Sequence, residues 1–254
     1  MIIALVNQKG GVAKTTSSIC LGGILAETAL CLVVDLDPQG NLTTGLGLNL
    51  DDSEDDQPTI YEVLKEEATA ESAIVRTKLT QLDLLPADIY LANGETELIS
   101  KVGSSYILSE RLASIKAKYA HILIDCPPSL GILTVNALTC ADAVLIPVQC
   151  QFFALKGLAS LLNTISAVQK RLNPNLKILG VIPTMADNTV MCRDVLDSLA
   201  KRMLSLTTIF EPVPKSVKFA ESNLAGEPIH LYAAKDPKLS EPYRAIAQRI
   251  LSSN

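Results

Sequence analysis

Short runs of apolar residues recur along the chain, separated by longer segments in which apolar residues return at helical spacing. Continuous apolar runs of this length are typical of strands that are buried on both faces of a parallel sheet. The pattern predicts strands over residues 2–6, 30–35, 82–86, 121–125, 143–148, 177–183 and 207–210.

The intervening segments predict helices over residues 14–26, 59–65, 95–99, 106–119, 154–171, 189–204 and 239–251. Residues 49–58 are acidic and have no periodicity, so they are expected to form a loop. Strands that alternate with helices predict an α/β fold, in which a doubly wound, mostly parallel sheet carries helices on both faces. A chain of 254 residues with 48% hydrophobic content can bury ~70–75% of its unfolded surface in one domain. We therefore expect a single domain over residues 1–254.

The first predicted strand runs directly into a glycine-containing segment that indicates a phosphate-binding loop. Adjacent glycines let backbone N–H groups converge on a polyphosphate, and the following helix points its positive end at the same place. Lys14 would reach the β- and γ-phosphates, and the Thr15 hydroxyl would hold Mg²⁺. The residues expected to bind the nucleotide here are Lys9, Gly10, Gly11, Val12, Ala13, Lys14, Thr15 and Thr16.

This loop departs from the ordinary G-x-x-x-x-G-K-[ST] pattern, because Gln8 and Ala13 stand where that pattern has glycine. Ala13 is acceptable if its φ is negative. The loop carries a second lysine, Lys9, in the arrangement Lys9-Gly10-Gly11-x-x-Lys14-Thr15. A second cation adds charge complementarity only if it reaches a different phosphate oxygen, most simply one in a facing subunit.

Aspartates follow two of the predicted strands, at the edge where open α/β sheets bind ligands. Asp35 and Asp37 follow the second strand, and Asp125 ends the strand that begins at His121. We assign Asp37 to the attacking water and expect Asp35 to help orient the metal shell. Asp125 is predicted to be a direct or indirect Mg²⁺ carboxylate. The predicted metal set is therefore Thr15, Asp35 and Asp125.

Composition and charge bear on the partners that the protein could bind. The net charge of −5 does not favour binding to nucleic acid. The charge is unevenly distributed, however: thirteen acidic and three basic residues lie between positions 51 and 100, whereas basic residues outnumber acidic ones from Lys201 onward. A basic face is therefore compatible with an acidic protein. The six cysteines are scattered without a C-x-x-C pair, which argues against zinc and disulfides. With no apolar run of ~18 residues and a strand starting at Ile2, we expect a cytosolic protein.

Four motifs together resemble those of the ParA/Soj partition ATPases, over nearly the whole chain. They are the loop from Lys9 to Thr16, Val34-Asp35-Leu36-Asp37-Pro38-Gln39-Gly40-Asn41, Ile124-Asp125-Cys126-Pro127-Pro128-Ser129-Leu130-Gly131 and Val213-Pro214-Lys215-Ser216-Val217-Lys218-Phe219-Ala220-Glu221. The resemblance implies a homodimer that closes around ATP and Mg²⁺, binds DNA non-specifically on the nucleoid and positions cargo. A ParB-like or other adaptor protein would stimulate hydrolysis.

The resemblance also implies roles for individual residues. Lys9 would cross to the ATP of the other subunit, so that the catalytic set is Lys9, Lys14 and Asp37. The base pocket would be formed by Met185, Pro212, Val213 and Pro214, with backbone groups reading adenine. The DNA contacts would be Arg193, Lys215 and Lys218. Arg193 comes later than the family's arginine, and the two lysines stand where arginines are common, which keeps charge but loses bidentate phosphate geometry.

Two other classes share the loop. A MinD-like membrane positioner would need a basic amphipathic tail, whereas residues 239–251 have an ordinary core face, so no membrane association is expected. A metabolic ligase of the dethiobiotin synthetase type would act on its own small substrate. Within the favoured class the cargo, whether a chromosome, a plasmid or a protein compartment such as a carboxysome, stays open.

Overall fold

A computed structural model describes residues 1–50, 57–151, 154–203 and 205–253. In this part of the chain the strands form one eight-stranded sheet with the order β3-β4-β2-β5-β1-β6-β7-β8. The strands are β1 (Ile2–Leu5), β2 (Cys31–Asp35), β3 (Val75–Arg76), β4 (Leu82–Leu85), β5 (His121–Asp125), β6 (Ala143–Gln149), β7 (Lys177–Thr184) and β8 (Thr208–Ile209). All pairings are parallel except that of β3 with β4.

Helices connect these strands and cover both faces of the sheet. They are α1 (Lys14–Leu25), α2 (Asn41–Gly45), α3 (Ile60–Lys65), α4 (Ala70–Ala73), α5 (Leu91–Ile99), α6 (Ile107–Leu112), α7 (Ile132–Cys140), α8 (Ala154–Arg171), α9 (Val190–Met203), α10 (Lys218–Ala225), α11 (Ile229–Tyr232) and α12 (Glu241–Leu251). The predicted doubly wound, mostly parallel α/β fold is therefore confirmed.

The two faces carry separate cores because successive side chains of a strand point to opposite sides. In β1, Ile2 and Ala4 belong to one core and Ile3 and Leu5 to the other. The first core also takes in apolar side chains of α7, α8 and α9, whereas the second takes in those of α1 and α12. These layers hold α1 rigidly behind the carboxyl edge of the sheet.

Helix α12 packs its apolar stripe inward against α1. Tyr243, Ile246 and Ile250 are fully buried, and the Tyr243 hydroxyl lies 3.1 Å from Ser17 Oγ. Across the described residues, we find no helix with the length and apolar character needed to cross a bilayer.

Some local expectations were wrong. The helix expected over residues 106–119 ends as α6 at Leu112 and is followed by a short 3₁₀ turn at Lys116–Lys118. The chain is already extended at Tyr119, because Ala120 N donates to Leu30 O at 2.9 Å and leads into β5. Short elements that the pattern did not predict are β3, α2, α4, α7, α10 and α11. The acidic loop expected over residues 49–58 lies largely outside the described residues.

Candidate nucleotide-binding site

The loop between β1 and α1 lies at the carboxyl edge of the sheet and is fixed by neighbouring strands. Asn7 Nδ2 donates to Pro147 O at 2.6 Å, and Asn7 Oδ1 accepts from Lys9 N at 3.0 Å. The Thr184 hydroxyl, from the end of β7, donates to Val12 O at 3.0 Å. The loop is therefore held by both β6 and β7 before α1 begins at Lys14.

Ala13 adopts a left-handed conformation, with φ 64° and ψ 34°. The condition of a negative φ, under which alanine would be acceptable here, is therefore not met. In this conformation Ala13 O accepts Ser17 N at 3.0 Å in the first turn of α1. An alanine held there is strained by roughly 1–2 kcal/mol. Contacts on both sides, at Val12 and Ser17, keep the residue in place.

The two lysines of the loop occupy different places. Lys14 is 7% exposed, and its ammonium lies 3.5 Å from Lys9 O. Burial lowers the pKa of Lys14, an effect that the nearby Asp125 opposes. Lys9 is more exposed, and its ammonium donates to Gln149 Oε1 at 3.0 Å and to Gln151 Oε1 at 3.2 Å. The Lys14 ammonium thus lies inside the loop, whereas the Lys9 ammonium lies outside it, against the end of β6.

Asp125 lies at the end of β5, directly behind the loop. Its Oδ2 accepts the Thr15 hydroxyl at 2.6 Å and its Oδ1 accepts the Ser18 hydroxyl at 3.0 Å. Complete burial raises the pKa of Asp125 to about 6. A buried carboxylate tied to the hydroxyl expected to bind the metal is well placed to hold that hydroxyl in position.

Asp35 pairs in register with Asp125 but faces a different set of partners. Its Oδ2 accepts Thr43 N at 2.9 Å and Thr43 Oγ1 at 2.8 Å, and its Oδ1 accepts Asp37 N at 3.1 Å. Burial raises the pKa of Asp35 to about 7. Unlike Asp125, Asp35 has no hydrogen bond to Thr15, and both of its oxygens are taken by Thr43 and the Asp37 backbone, so we remove Asp35 from the predicted metal ligands. It positions the segment that carries Asp37.

An open cleft of about 720 Å³ brings most of the predicted phosphate and metal residues together. Its lining residues are Gly10, Gly11, Ala13, Lys14, Thr15, Thr16, Asp37, Gln39, Asn41, Thr44, Gly45, Pro128, Met185, Ala220, Asn223 and Leu224. Asp37 is 7% exposed, and its Oδ1 accepts Gln39 N at 3.0 Å. The aspartate assigned to the attacking water therefore shares one cleft with Lys14 and Thr15.

The oxygens around this cleft fit Mg²⁺, a hard cation that prefers carboxylate, hydroxyl and phosphate oxygens. Thr15 Oγ1 and the Asp125 carboxylate are adjacent, and Asp37 lines the same cleft. Among the described residues, no group of three or more His, Cys, Asp or Glu side chains could hold a metal ion. An Mg²⁺ ion would therefore depend on phosphate oxygens for part of its coordination, as it does in many nucleotide sites.

A second, mainly apolar cavity of about 220 Å³ adjoins the cleft. Of the predicted base-binding residues, Met185, Val213 and Pro214 line this cavity, whereas Pro212 lines a separate cleft beside Arg193. Pro212 is therefore not part of the pocket. The chain reaches the cavity at the next residue, where Val213 N donates to Pro183 O at 2.8 Å. Ala13, Thr16 and Met185 line both the cavity and the cleft.

The predicted DNA contacts are not equivalent. Arg193, on α9, and Lys215 are exposed and lie near the carboxyl ends of β7 and β8, where Lys215 N donates to Ala186 O at 2.9 Å. Lys218 is instead paired with Asp236, at 3.0 Å from Nζ to Oδ2. The structure therefore offers Arg193 and Lys215 as available cations and discounts Lys218.

Sequence reasoning missed several residues that build the site. Ser18 stands one turn after Lys14, a spacing that local reasoning could have used. Three more residues, Thr43, Gln149 and Gln151, follow predicted strands. Nothing in the sequence pattern indicates which side chains they contact. Asn223 donates from Nδ2 to Thr16 Oγ1 at 3.2 Å across 207 positions of sequence. All six cysteines are buried and free.

Comparison with known proteins gives consistent matches. The family model described as AAA domain matches residues 1–178. The chain is 42% identical to Sporulation initiation inhibitor protein Soj of Bacillus subtilis (strain 168), covering 99% of this chain and 98% of that protein. It is 41% identical to Chromosome partitioning protein ParA of Caulobacter vibrioides (strain NA1000 / CB15N), covering 99% and 94%.

A similar solved structure is that of Cobyrinic Acid a,c-diamide synthase from Mycobacterium smegmatis, with bound ATP analog and magnesium. It is 39% identical to this chain, superposes with a TM-score of 0.85 and covers 98% of this chain and 93% of the other.

Proposed function

Because the chain belongs to the Soj/ParA family of partitioning ATPases, we propose that it hydrolyses ATP with Mg²⁺, dimerises around the nucleotide and positions cargo on nucleoid DNA. The observation that carries the proposal is the arrangement of Lys14, Thr15 and Asp37 on one cleft, with Lys9 outside the interior. A single-chain hydrolase has no evident need for the second lysine.

Within the cleft, each residue has a distinct proposed task. Lys14 and the N-terminal backbone of α1 hold the phosphates, since both are positive and face the same space. Thr15, supported by Asp125, offers a hydroxyl to Mg²⁺, which supplies charge neutralisation at the phosphates when bound. Asp37 orients the attacking water and accepts its proton. The buried position of Asp37, 7% exposed, keeps its carboxylate in a fixed place.

Dimerisation would use Lys9. Its ammonium contacts only neutral amide oxygens in the part of the chain described, those of Gln149 and Gln151, and forms no ion pair there. Leaving these acceptors for a phosphate would replace hydrogen bonds to neutral amide oxygens with one in which the acceptor is also charged, the stronger pairing for an ammonium group. We propose that Lys9 makes this exchange with the nucleotide of a second copy.

DNA binding would use Arg193 and Lys215, whose charges lie on the carboxyl edge of the last two strands. Phosphate contacts of this kind carry no sequence information, which suits non-specific binding. They also make log affinity fall with log salt by ~0.9 per contact. Arg193→Ala and Lys215→Ala should therefore each reduce the salt dependence by about one contact, whereas Lys218→Ala should have less effect because Asp236 already neutralises Lys218.

A partner protein would complete the cycle by stimulating hydrolysis. The loop after β5 is the proposed sensor of the nucleotide: Pro128 lines the cleft, and a Cβ placed on Gly10 would lie 3.8 Å from Pro128 Cβ. Moving a population from 1:99 to 99:1 needs ~5.5 kcal/mol of differential binding. A shared triphosphate, Mg²⁺ and two crossed lysines are a sufficient source for that difference.

The test is DNA co-sedimentation with ATP or ADP, together with light-scattering measurement of the oligomeric state. Wild type should pellet with DNA and dimerise in ATP but not in ADP. Lys9→Ala should do neither, and Asp37→Ala should remain bound because hydrolysis is blocked. Lys177→Ala is the matched control, since this exposed lysine begins β7 at the opposite edge of the sheet. Equal DNA binding under all conditions would reject nucleotide control.

A synthase activity is the second candidate, because a solved structure that is 39% identical carries that description. Such an enzyme would consume ATP only with its own carboxylic acid substrate, and DNA would not affect the reaction. Measuring ADP release with and without DNA, and with and without added cobyrinic acid, separates the two. ADP release that depends on the acid and ignores DNA would favour the synthase.

A further inference from the structure

Asn223 connects helix α10 to the phosphate-binding loop. Its Nδ2 donates to Thr16 Oγ1 at 3.2 Å, and the residue lines the phosphate cleft with Ala220 and Leu224 of the same helix. Helix α10 ends just beyond, where Gly226 takes φ 68° and its N–H donates to Asn223 O at 3.2 Å. The Asn223 side chain therefore links α10 to the loop, and its backbone belongs to the C-terminal cap of the helix.

The other amide atom of Asn223 is not satisfied by the protein. Asn223 Oδ1 is buried and has no hydrogen-bond partner in the described part of the chain. A buried acceptor without a partner loses its hydration without compensation, so native structures rarely keep one without a purpose. The residue as a whole is part-exposed and lines the cleft, so rotation of its amide would bring Oδ1 to a ligand there that carries a donor.

The position of Asn223 identifies which part of a nucleotide it would meet. Thr16 and Met185 line both the phosphate cleft and the apolar cavity, so they mark the junction between the two. Asn223 is bonded to Thr16 at this junction. When phosphates lie in the cleft and a base lies in the cavity, the group between them is the sugar.

We infer that Asn223 hydrogen-bonds a ribose hydroxyl of the nucleotide and thereby makes the protein prefer ribonucleotides to deoxyribonucleotides. An amide oxygen does not suit a phosphate, because two acceptors repel, whereas a hydroxyl offers the donor that Oδ1 lacks. A hydroxyl also accepts, so it satisfies either end of the amide. This inference rests on the proposed nucleotide-binding function and assigns a positioning and specificity role within that site.

The test measures affinities for ADP, 2′-deoxy-ADP and 3′-deoxy-ADP by calorimetry on the full chain. ADP avoids hydrolysis and the proposed ATP-driven dimerisation. Wild type should bind ADP roughly three- to tenfold more tightly than one of the two deoxy forms, as expected for one hydrogen bond. In Asn223→Ala this ratio should fall to about one, mainly through weaker ADP binding.

Two further variants control the result. Leu224→Ala shortens the neighbouring side chain in the same cleft without removing a polar atom, so its ratio should equal that of wild type. Asn223→Asp keeps an acceptor and should retain the preference for ribose. Thermal unfolding of each variant verifies that it is folded.

The outcomes are distinguishable. If ADP binds and the ratio is the same in wild type and Asn223→Ala, the inference is overturned and water is the partner of Oδ1. If wild type binds no ADP, the proposed function fails and this inference with it.

Discussion

Replacing Ala13 with glycine should stabilise the protein, although most substitutions in a binding loop destabilise. Ala13 is held at φ 64° and ψ 34°, where the Cβ of an L-residue costs roughly 1–2 kcal/mol. Ala13→Gly removes this strain in the folded state. It also gives the unfolded chain more conformations, which opposes the gain by about 0.4–1 kcal/mol.

The expected net effect of Ala13→Gly is an increase of about 0.5–1 kcal/mol in the free energy of unfolding. For a domain of this size, 1 kcal/mol corresponds to roughly 2–4 °C in Tm, so Tm should rise by about 1–4 °C. Chemical denaturation and thermal scans without nucleotide measure both quantities. The side chain is half-buried, so the loss of one methyl group removes little packing.

The matched control is Ala113→Gly at the end of α6. Ala113 is exposed and has an ordinary helical φ of −58° at the C-cap of the helix, so the same chemical change should destabilise, by no more than the roughly 0.5–1 kcal/mol that glycine costs in a helix interior. The two substitutions should therefore have opposite signs. If Ala13→Gly lowers the free energy of unfolding as Ala113→Gly does, residue 13 is not held at positive φ and the reasoning is refuted.

Two further predictions concern the periphery of the site. Gln149→Ala removes an acceptor of Lys9, so it should tighten ATP-dependent dimerisation roughly two- to tenfold in sedimentation experiments, and weaker dimerisation would contradict this role. Arg244 donates two hydrogen bonds of 2.8 and 3.0 Å to Glu27, and these bonds are the main reason that the pKa of Glu27 lies below its usual 4.5. The stability that the ion pair contributes is present above pH 4.5 and is lost as the pH falls through the lowered pKa. Glu27→Gln should therefore cost about 0.5–1 kcal/mol at pH 7 and progressively less as the pH falls below 4.5, as measured by urea denaturation. A cost that does not change over this range would exclude the ion pair.

The central strands and the phosphate-binding loop could be predicted because their signals are local. Apolar runs of about five residues specify buried parallel strands, and β1, β2 and β5 lie within one or two residues of the expected bounds. The carboxyl ends of parallel strands meet at one edge, so Asp37 and Asp125 were expected near the loop. The alternation of helices and strands is also visible in the sequence, so the doubly wound topology could be predicted too.

Short elements and their breaks were less predictable. Helices such as α2 and α4 have four or five residues, too few for a periodic pattern to appear. Helix α6 ends early because the next segment must reach β5, which is a requirement of the sheet and not of the local sequence. Tertiary packing therefore overrides helical propensity at such places.

The orientation of individual groups was decided by contacts between distant segments. Asp35 and Asp37 are two residues apart, yet only Asp37 lines the cleft, because the Asp35 carboxylate is hydrogen-bonded to Thr43. Ala13 is held in a left-handed conformation by a loop that Thr184 fixes from 172 positions away, and Asn223 reaches Thr16 across 207. The sequence by itself determined the fold class and the residues at the phosphate edge, because periodicity and strand ends are local. Only the tertiary structure decided which side-chain atoms face the cleft, because hydrogen bonds between distant segments set the orientations of those side chains.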